Sequence, residues 1–503
     1  MNYLSSLFLT SVLCSAILSS LSHAEELIEA EPIEQIIEED PSGLSSIKNL
    51  LSLKEITKSS QNYKAPFVQE LKNSLNVRTL FVETNDLPMV DIQITFNAGS
   101  ARDEVIGQGL YGISNMAARL MLEGTDQLSA KQITTTFEGL GAKYSFNAYR
   151  DMFVVRLRVL NDPEKFDPAL NLLLHLIKHA TFKQSGINLA LSNTQIGQKQ
   201  LQENPSRLMS IQLYRMLYAD HPYAQPTAGT VGSLKKITPE LLKEFRDRLL
   251  VAQNSNIAIT GQLTQDQAQQ ISELISINLP QGQRQPDLPT PVSESGFKIS
   301  VLKRESLQAH ALLGHLSLER THPDRAALEV ANRMFGGGSF NSILSKELRI
   351  KRGLTYSASS TLTTPQVPGV FNFGYATQQD QLLESLKLAH QVFIDFKKQP
   401  ITDSLLKENK ESILRSFPMT LNSNANINAQ IASIGFYRLN SNYLNEYQEQ
   451  IRKLTRQDIQ NAIQKHLHPD QMTVIAVSDR VTAKEIEEIL NQNLGLNLNK
   501  IEN

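Results

Sequence analysis

The feature that most constrains the fold of this chain is an internal repeat. Similar patterns open with the letters ITPELLKEF and LTRQDIQNA, and each continues as helix, loop, buried strand, turn and second helix. Thr238 precedes Ile257 by the same number of residues that separates Thr455 from Val474. Both threonines suit helix N-caps, because a hydroxyl accepts a free N–H of the first turn. The chain is therefore predicted to hold two versions of one domain of roughly 200 residues.

The repeat and the composition between its copies predict the domain layout. A stretch rich in Pro, Gly, Gln and Ser, 279–296, joins the two copies. Each half mixes alternating strands, such as the one with Val90, Ile92, Ile94 and Phe96 on one face, with helices longer than ten residues. We therefore expect an α+β fold of two homologous domains, each a mostly antiparallel sheet with helices on one face. The predicted segments are a signal peptide (1–24), an acidic tail (25–64), a first domain (65–280), a linker (281–296) and a second domain (297–503).

The first residues are predicted to form a secretory signal. Residues 1–24 contain no Asp, Glu, Lys or Arg and end in Ser22-His23-Ala24 after an apolar run. The n-region has no Lys or Arg, so an uncleaved membrane anchor stays open, whereas lipoprotein cleavage at Cys14 is disfavoured by the large Leu13. Cys14 is the only cysteine, so its removal leaves no disulfide or thiolate metal site. We expect a periplasmic or otherwise exported protein.

Composition excludes several other classes. Hydrophobic residues make up 41% and charged residues 20% of the chain, which is typical of a globular protein. The net charge of −2 gives no electrostatic case for binding nucleic acid. The acidic block 25–40 is a solvated tail or an arm that binds a partner. No later run is apolar for long enough to span a bilayer, so no stable membrane span is expected after signal cleavage.

Several motifs resemble one enzyme family. They are NAGSARD, GISNMAARLMLEGT, FEGLGA, NAYRD and HPYAQPTAGT, and the likeness extends over most of 65–490. These motifs are similar to those of the pitrilysin/insulinase-like (inverzincin) zinc peptidases. The resemblance implies two duplicated domains and a clam-like chamber that encloses a peptide.

The resemblance also shows what is missing. The family carries H-x-x-E-H on one helix, and alignment on Gly112 places those positions at Asn115, Ala118 and Arg119. Zinc needs neutral imidazoles or carboxylates, arginine is permanently cationic, and alanine cannot act as a base. The third ligand of the family, a Glu, would fall near 193–205, where Glu203 stands too close to Pro205 to match. We therefore expect no metal or cofactor in this chain.

The second half keeps a pattern that the family uses on substrate. In E-L-R-x-x-x-G-L-x-Y, the resemblance assigns Arg349 and Tyr356 to the substrate carbonyl, where their donors stabilise an oxyanion. The alternative is that Arg349 pairs with a carboxylate on its helix and Tyr356 packs in a core. Arg352 is expected to be a surface charge.

A second substrate contact is expected in the first half. The resemblance makes the strand KYSFNA a sheet edge that pairs with extended peptide, which needs no special side chain. The alternative is an ordinary edge strand. Its residues are Lys143, Tyr144, Ser145, Phe146, Asn147 and Ala148.

The remaining histidines are expected to be structural. His175 and His179 share a helical face, but Lys178 stands where a base would be needed and no carboxylate is near in sequence. His221, His310 and His315 lie in a loop and a strand-like run. A peptidase that uses the pair at 175 and 179 is the least favoured function.

Two hypotheses follow. In the first, the chain is a subunit that orients peptide while a homologous partner supplies zinc, so that each chain alone is inactive. In the second, it is a structural or peptide-binding member of the family with no part in hydrolysis.

Overall fold

The computed structural model describes residues 63–338 and 340–496, without the side chains of 198–202. The predicted signal peptide, Cys14 and the acidic block 25–40 lie outside the described residues. The described chain forms two mixed sheets covered by helices, so the predicted α+β class is confirmed. The predicted chamber belongs to a pair of chains and stays a prediction.

The first half contains six strands and the helices between them. The strands are β1 (Gln69–Leu71), β2 (Thr79–Glu83), β3 (Met89–Phe96), β4 (Lys143–Ala148), β5 (Phe153–Leu160) and β6 (Ser255–Gly261). The helices are α1 (Ile113–Leu120), α2 (Ala130–Gly139), α3 (Pro163–His179), α4 (Gln184–Gln202), α5 (Pro205–Tyr218), α6 (Val231–Leu234), α7 (Pro239–Leu249) and α8 (Gln265–Asn278). The strand order is β1-β2-β6-β3-β5-β4, which leaves β4 at an edge.

The second half repeats this order of elements. Its strands are β7 (Lys298–Leu302), β8 (Gln308–Leu316), β9 (Ala358–Leu362), β10 (Val370–Gln378) and β11 (Thr473–Val477). Its helices are α9 (Arg325–Phe335), α10 (Ile343–Ser345) with a π-helical turn (Lys346–Ile350), α11 (Leu382–Lys398), α12 (Asp403–Ser416), α13 (Asn424–Phe436), α14 (Tyr443–Lys453), α15 (Arg456–His466) and α16 (Ala483–Asn493). The strand order is β7-β11-β8-β10-β9, and the described pairings are antiparallel except β2–β6 and β7–β11.

The repeat found in the sequence is present in the structure. Thr238 caps α7 and Thr455 caps α15, each accepting a hydrogen bond from the backbone N–H three residues on. The strand that follows is β6 in the first half and β11 in the second, and each lies next to a parallel strand. Equivalent residues therefore occupy equivalent places, and the predicted N-caps are confirmed.

Each half covers the sheet of the other with one helix. Helix α5 of the first half packs on β8 and β11, while its counterpart α13 packs on β2, β3 and β6. The side-chain amide of Asn428 donates to the backbone oxygens of Asp91 (3.0 Å) and Ala258 (3.1 Å) in the first sheet. Leu213 and Ile475 share a hydrophobic cluster on the second sheet. The two sheets are therefore tied by exchanged helices.

This exchange corrects one sequence-based expectation. Strand β3 was predicted to be half-buried with helices on one face, yet both of its faces are buried. Val90, Ile92 and Ile94 belong to the core of the first half, whereas Asp91 and Gln93 alternate with them and point to the face that α13 covers. The prediction failed because the covering helix lies more than 300 residues away, at 424–436, and no local pattern announces it.

Candidate functional site

A short helix with an unusual N-terminus occupies the centre of the first half. Gly112 caps α1 at φ +91°, and a Cβ there would lie 2.8 Å from the backbone oxygen of Ala228. Both the positive φ and the close approach require glycine. The helix ends at Leu120, and Gly124 follows at φ +128°.

A buried carboxylate, rather than a neighbouring side chain, caps this helix. Asp103 is 1% exposed and accepts the backbone N–H of Gly112 at 2.6 Å and that of Ser114 at 3.1 Å. Burial raises the pKa of Asp103 to about 7, and the two N–H donors oppose that rise. Asp103 thus fixes where α1 begins. In the sequence, Asp103 stands out only as part of the NAGSARD motif, because a cap nine residues upstream has no local signature.

The three motif positions of α1 do not fit a zinc ion. Asn115 is half-buried, Ala118 is 5% exposed and Arg119 reaches solvent. An amide, a methyl group and a guanidinium offer neither an imidazole nor a carboxylate, and the guanidinium repels a divalent cation. The donor set at α1 therefore cannot hold the metal that the family resemblance implies, and no catalytic step is assigned to zinc here.

Helix α4 lies beside α1 and belongs to the same cavity. Asn193, Thr194 and Gly197 of α4 line a cavity of about 480 Å³ together with Arg119. The resemblance places the third zinc ligand in this part of the chain. Its described polar side chains are arginines, amides and hydroxyls, and aliphatic and proline side chains add apolar surface. No aspartate or glutamate is found among those described lining residues.

Strand β4 matches the predicted bounds and lies at the sheet edge. Its register pairs Lys143 to Ala148 with β5, and no other strand pairs with it within 63–338 and 340–496. Tyr144 stacks on Phe137 at 4.0 Å between ring centroids, and Phe146 is buried against the core. Ser145 and Asn147 are half-buried. The outer backbone groups of β4 are thus open to another strand, and use by a peptide stays a prediction.

The arginine and tyrosine of the second half present free donors. Arg349 sits in the π-helical turn, a feature often found at functional sites. Its guanidinium lies over the ring of Phe340, 4.2 Å from the centroid, and has no carboxylate partner among the described residues. Stacking uses the guanidinium face and leaves its N–H edge available. Tyr356 is 82% exposed, two residues before β9.

The nearby carboxylate of Glu347 pairs with two other cations and not with Arg349. Glu347 lies in the same turn and accepts Lys351 at 2.6 Å and Arg352 at 2.8 Å. Arg352 is exposed, as predicted, and its charge is paired with Glu347. The alternative interpretation required Arg349 to pair with a carboxylate on its helix and Tyr356 to pack in a core. Among the described residues the structure shows neither arrangement. Their role on substrate stays a prediction.

The histidines singled out in the sequence have structural surroundings. His175 and His179 have ring centroids 4.7 Å apart, but within the described chain no carboxylate completes a ligand group with them. His221 donates to the backbone oxygen of Pro289 and its Nδ1 accepts the N–H of Tyr223, so both ring nitrogens are used. His315 is 2% exposed, and burial lowers its pKa to about 3. His310 is half-buried in β8.

One group resembles a metal site that the sequence did not indicate. Among the described residues, His322, Asp324 and His466 bring one ligand atom each within 4.8 Å of the others. The Asp324 oxygen 2.7 Å from His466 also accepts the ammonium of Lys465 at 3.0 Å, and Nδ1 of His322 accepts a backbone N–H. One oxygen of Asp324 and Nδ1 of His322 thus already have protein partners, and we describe the group as a side-chain network.

A buried polar junction connects the halves beside the cavity. Asp151 is 5% exposed and accepts the hydroxyls of Tyr223 and Tyr437 and the backbone N–H of Gln366. Burial raises the pKa of Asp151, which the donors from both halves oppose. The preceding residue, Arg150, lines the cavity. Sequence reasoning missed this junction because its members come from four distant segments.

Known proteins share this architecture and these segments. A family model for insulinase (peptidase family M16) matches residues 78–231, and one for the peptidase M16 inactive domain matches residues 236–413. The crystal structure of a peptidase M16 inactive domain from Pseudomonas fluorescens is 32% identical, with a TM-score of 0.78, over 82% of this chain and 99% of that one. The chain belongs to the peptidase M16, or insulinase, family and is of its inactive type.

Two further comparisons cover similar lengths. The chain is 24% identical to a non-peptidase homolog, YmxG, of Helicobacter pylori, over 81% of this chain and 93% of that protein. The periplasmic protease PqqL of Escherichia coli has a similar fold, with a TM-score of 0.68 and 17% identity. The match covers 84% of this chain and 46% of that one. In the described part of this chain, helices fall short of the length and apolar character needed to cross a bilayer.

Proposed function

We propose that this chain is an exported subunit of a peptidase pair that binds and orients peptide while a homologous partner supplies zinc. The observation that carries the proposal is that Arg349 has no carboxylate partner among the described residues and that Tyr356, seven residues later, is 82% exposed. The neighbouring Arg352 is paired with a carboxylate, whereas these two donors are left available. Donors held ready for a developing oxyanion are what the second half of a two-chain site would contribute.

Two further features support this proposal. The α1 donor set does not fit zinc, so hydrolytic chemistry would have to come from another chain. The open edge of β4 could hold an extended peptide through its backbone alone. Export is supported by the predicted signal at 1–24 and by the periplasmic relative with the same fold.

The decisive experiment mixes the purified chain with an H-x-x-E-H homologue from the same genome. We expect no turnover of a quenched fluorescent peptide by either chain alone and turnover by the mixture. Arg349→Ala and Tyr356→Phe should each lower kcat of the mixture by roughly 100- to 1,000-fold. Arg352→Ala is the matched control, because it lies in the same segment but pairs with Glu347.

A second function is favoured by the non-peptidase homolog among the relatives. The chain would then be a structural or peptide-binding member with no part in hydrolysis. If the Arg349 and Tyr356 variants still form the pair and turn over peptide at the wild-type rate, this second function holds and the first is wrong. Size-exclusion chromatography of each mixture checks that the pair has formed.

A further inference from the structure

The cavity at α1 carries positive charge with no compensating carboxylate in its described lining. Arg119 from α1, Arg150 from the loop after β4 and Arg207 from α5 all line it. Its other described polar groups are neutral amides and hydroxyls, such as Asn193 and Thr194. We call this cavity, with its three arginines, the arginine pocket.

Arg150 is held in a fixed position. It donates to the backbone oxygens of Tyr223 and Gln225, and its guanidinium lies 4.4 Å from the ring centroid of Tyr214. A guanidinium has five N–H donors, so these contacts orient the group without using all of them. Arg150 is therefore preorganised, with its charge kept at the wall of the pocket.

Arg119 and Arg207 are exposed, and within the described residues neither guanidinium has a hydrogen-bond or ion-pair partner. Some exposed arginines of the described chain are different: Arg248 and Arg415 each pair with a glutamate on their own helix. Three like charges around one concavity repel each other, and an anion in their midst would relieve that repulsion. Arginine also forms bidentate bonds that match a carboxylate.

The position of the pocket indicates which carboxylate it would meet. Arg150 follows the end of β4 by two residues, and α1, which carries Arg119, packs against β4. An extended peptide added to the open edge of β4 would thus lead toward the arginine pocket. Side chains of such a strand alternate in direction, so one of them, or the chain end itself, can enter.

We propose that the arginine pocket binds a carboxylate of an extended peptide paired with β4, and so selects acidic peptides. This inference rests on the proposed function, since it names the class of peptide that the subunit takes. The carboxylate is either an Asp or Glu side chain or the free C-terminus. The pocket thus takes an anion at the positions where the family resemblance expects a cation.

Fluorescence anisotropy on the purified full chain tests this directly. The probes are four labelled nonapeptides of one sequence, with Glu or Gln at a central position and with a free or an amidated C-terminus. We expect at least one carboxylate-bearing peptide to bind about tenfold more tightly than the neutral peptide, equivalent to about 1.4 kcal/mol. A preference for Glu over Gln identifies a side-chain carboxylate, and a preference for the free over the amidated C-terminus identifies the chain end.

Variants then assign the preference to the pocket. The double variant Arg119→Gln, Arg207→Gln should lose most of the preference for the acidic peptide, because only Arg150 remains of the three arginines that line the pocket. Both side chains are exposed, so folding should persist, and circular dichroism checks it. Arg415→Gln is the matched control, because it is an exposed arginine on α12 outside the pocket.

Three results would overturn the proposal: equal binding of all four peptides, no measurable binding of any, or selectivity that is undiminished in the double variant. The proposed function has a separate readout. Charge-indifferent binding with Arg349-dependent turnover of the mixture refutes the pocket and leaves the proposed function standing. Charge-selective binding, together with turnover that does not depend on Arg349, refutes the proposed function and leaves the pocket standing.

Discussion

Replacing Asp103 with asparagine should change how the stability of the protein depends on pH. The carboxyl is 1% exposed and caps α1 through the N–H groups of Gly112 and Ser114. Its pKa is about 7 in the folded chain, against 3.8 as the ordinary value. Between these values the folded state holds a proton that the unfolded state has released. The contribution of Asp103 to the free energy of unfolding therefore falls as pH rises from about 4 to about 7.

The size of this effect follows from the shift. One pKa unit corresponds to about 1.36 kcal/mol, so a rise of roughly three units amounts to roughly 4 kcal/mol across the window. Asp103→Asn removes the titration. It also loses one acceptor for the helix N–H groups, which costs roughly 1–3 kcal/mol at every pH. Because a fall of roughly 4 kcal/mol exceeds a cost of roughly 1–3 kcal/mol, the wild type should be the more stable form near pH 4 and the variant the more stable form near pH 7.

Urea unfolding followed by circular dichroism at pH 4, 5, 6 and 7 measures this difference. Asp247→Asn is the control, because Asp247 is exposed and its change should not alter the pH slope. Hydrogen exchange in α1 gives an independent local readout, since one of the two amides, that of Gly112 or that of Ser114, loses its acceptor in the variant. Parallel pH profiles for wild type and Asp103→Asn would refute the reasoning that burial holds the proton on this carboxyl.

Four other predictions follow from the described contacts. Burial lowers the pKa of His315 to about 3, so its contribution to stability is present above pH 6.5 and is lost as pH falls toward 3; acid unfolding of His315→Asn should begin at a lower pH than in wild type. Gly112→Ala should lower the free energy of unfolding by more than about 1 kcal/mol, measured in urea, because φ is positive and a Cβ would meet the loop at Ala228. Asn428→Ala should cost roughly 1–3 kcal/mol in the same assay, since two backbone oxygens of the first sheet lose their donor. Elemental analysis should find less than stoichiometric zinc in the purified chain, and zinc lost on changing His466 to Ala would show that its network does bind metal.

Local patterns predicted local structure well. The N-caps Thr238 and Thr455, the bounds of β4 and the helix that begins after Gly112 each depend on residues within a few positions. Hydroxyl capping, strand alternation and the need for glycine at positive φ act over that range, so one sequence suffices to find them.

The candidate site was only partly predictable, for a physical reason. Alignment with the family found Arg119, but Arg150 stood there only as part of a motif and Arg207 in none, because the three arginines lie on separate segments that only the fold brings together. The same holds for Asp151, whose donors come from both halves. The stacking of Arg349 on Phe340 was also unforeseen, since an aromatic nine residues upstream meets it through a π-helical turn that no residue pattern specifies.

The exchange of α5 and α13 bears on how such a chain could have arisen. A polypeptide of half this length, with one sheet, would leave the second face of β3 and its neighbours bare. Two copies that exchanged their equivalent helices would have buried both faces of each sheet. A domain-swapped homodimer is therefore a natural precursor of the duplicated chain. Severing today's chain within 281–296 should accordingly give two fragments that are insoluble when produced apart and soluble when produced together.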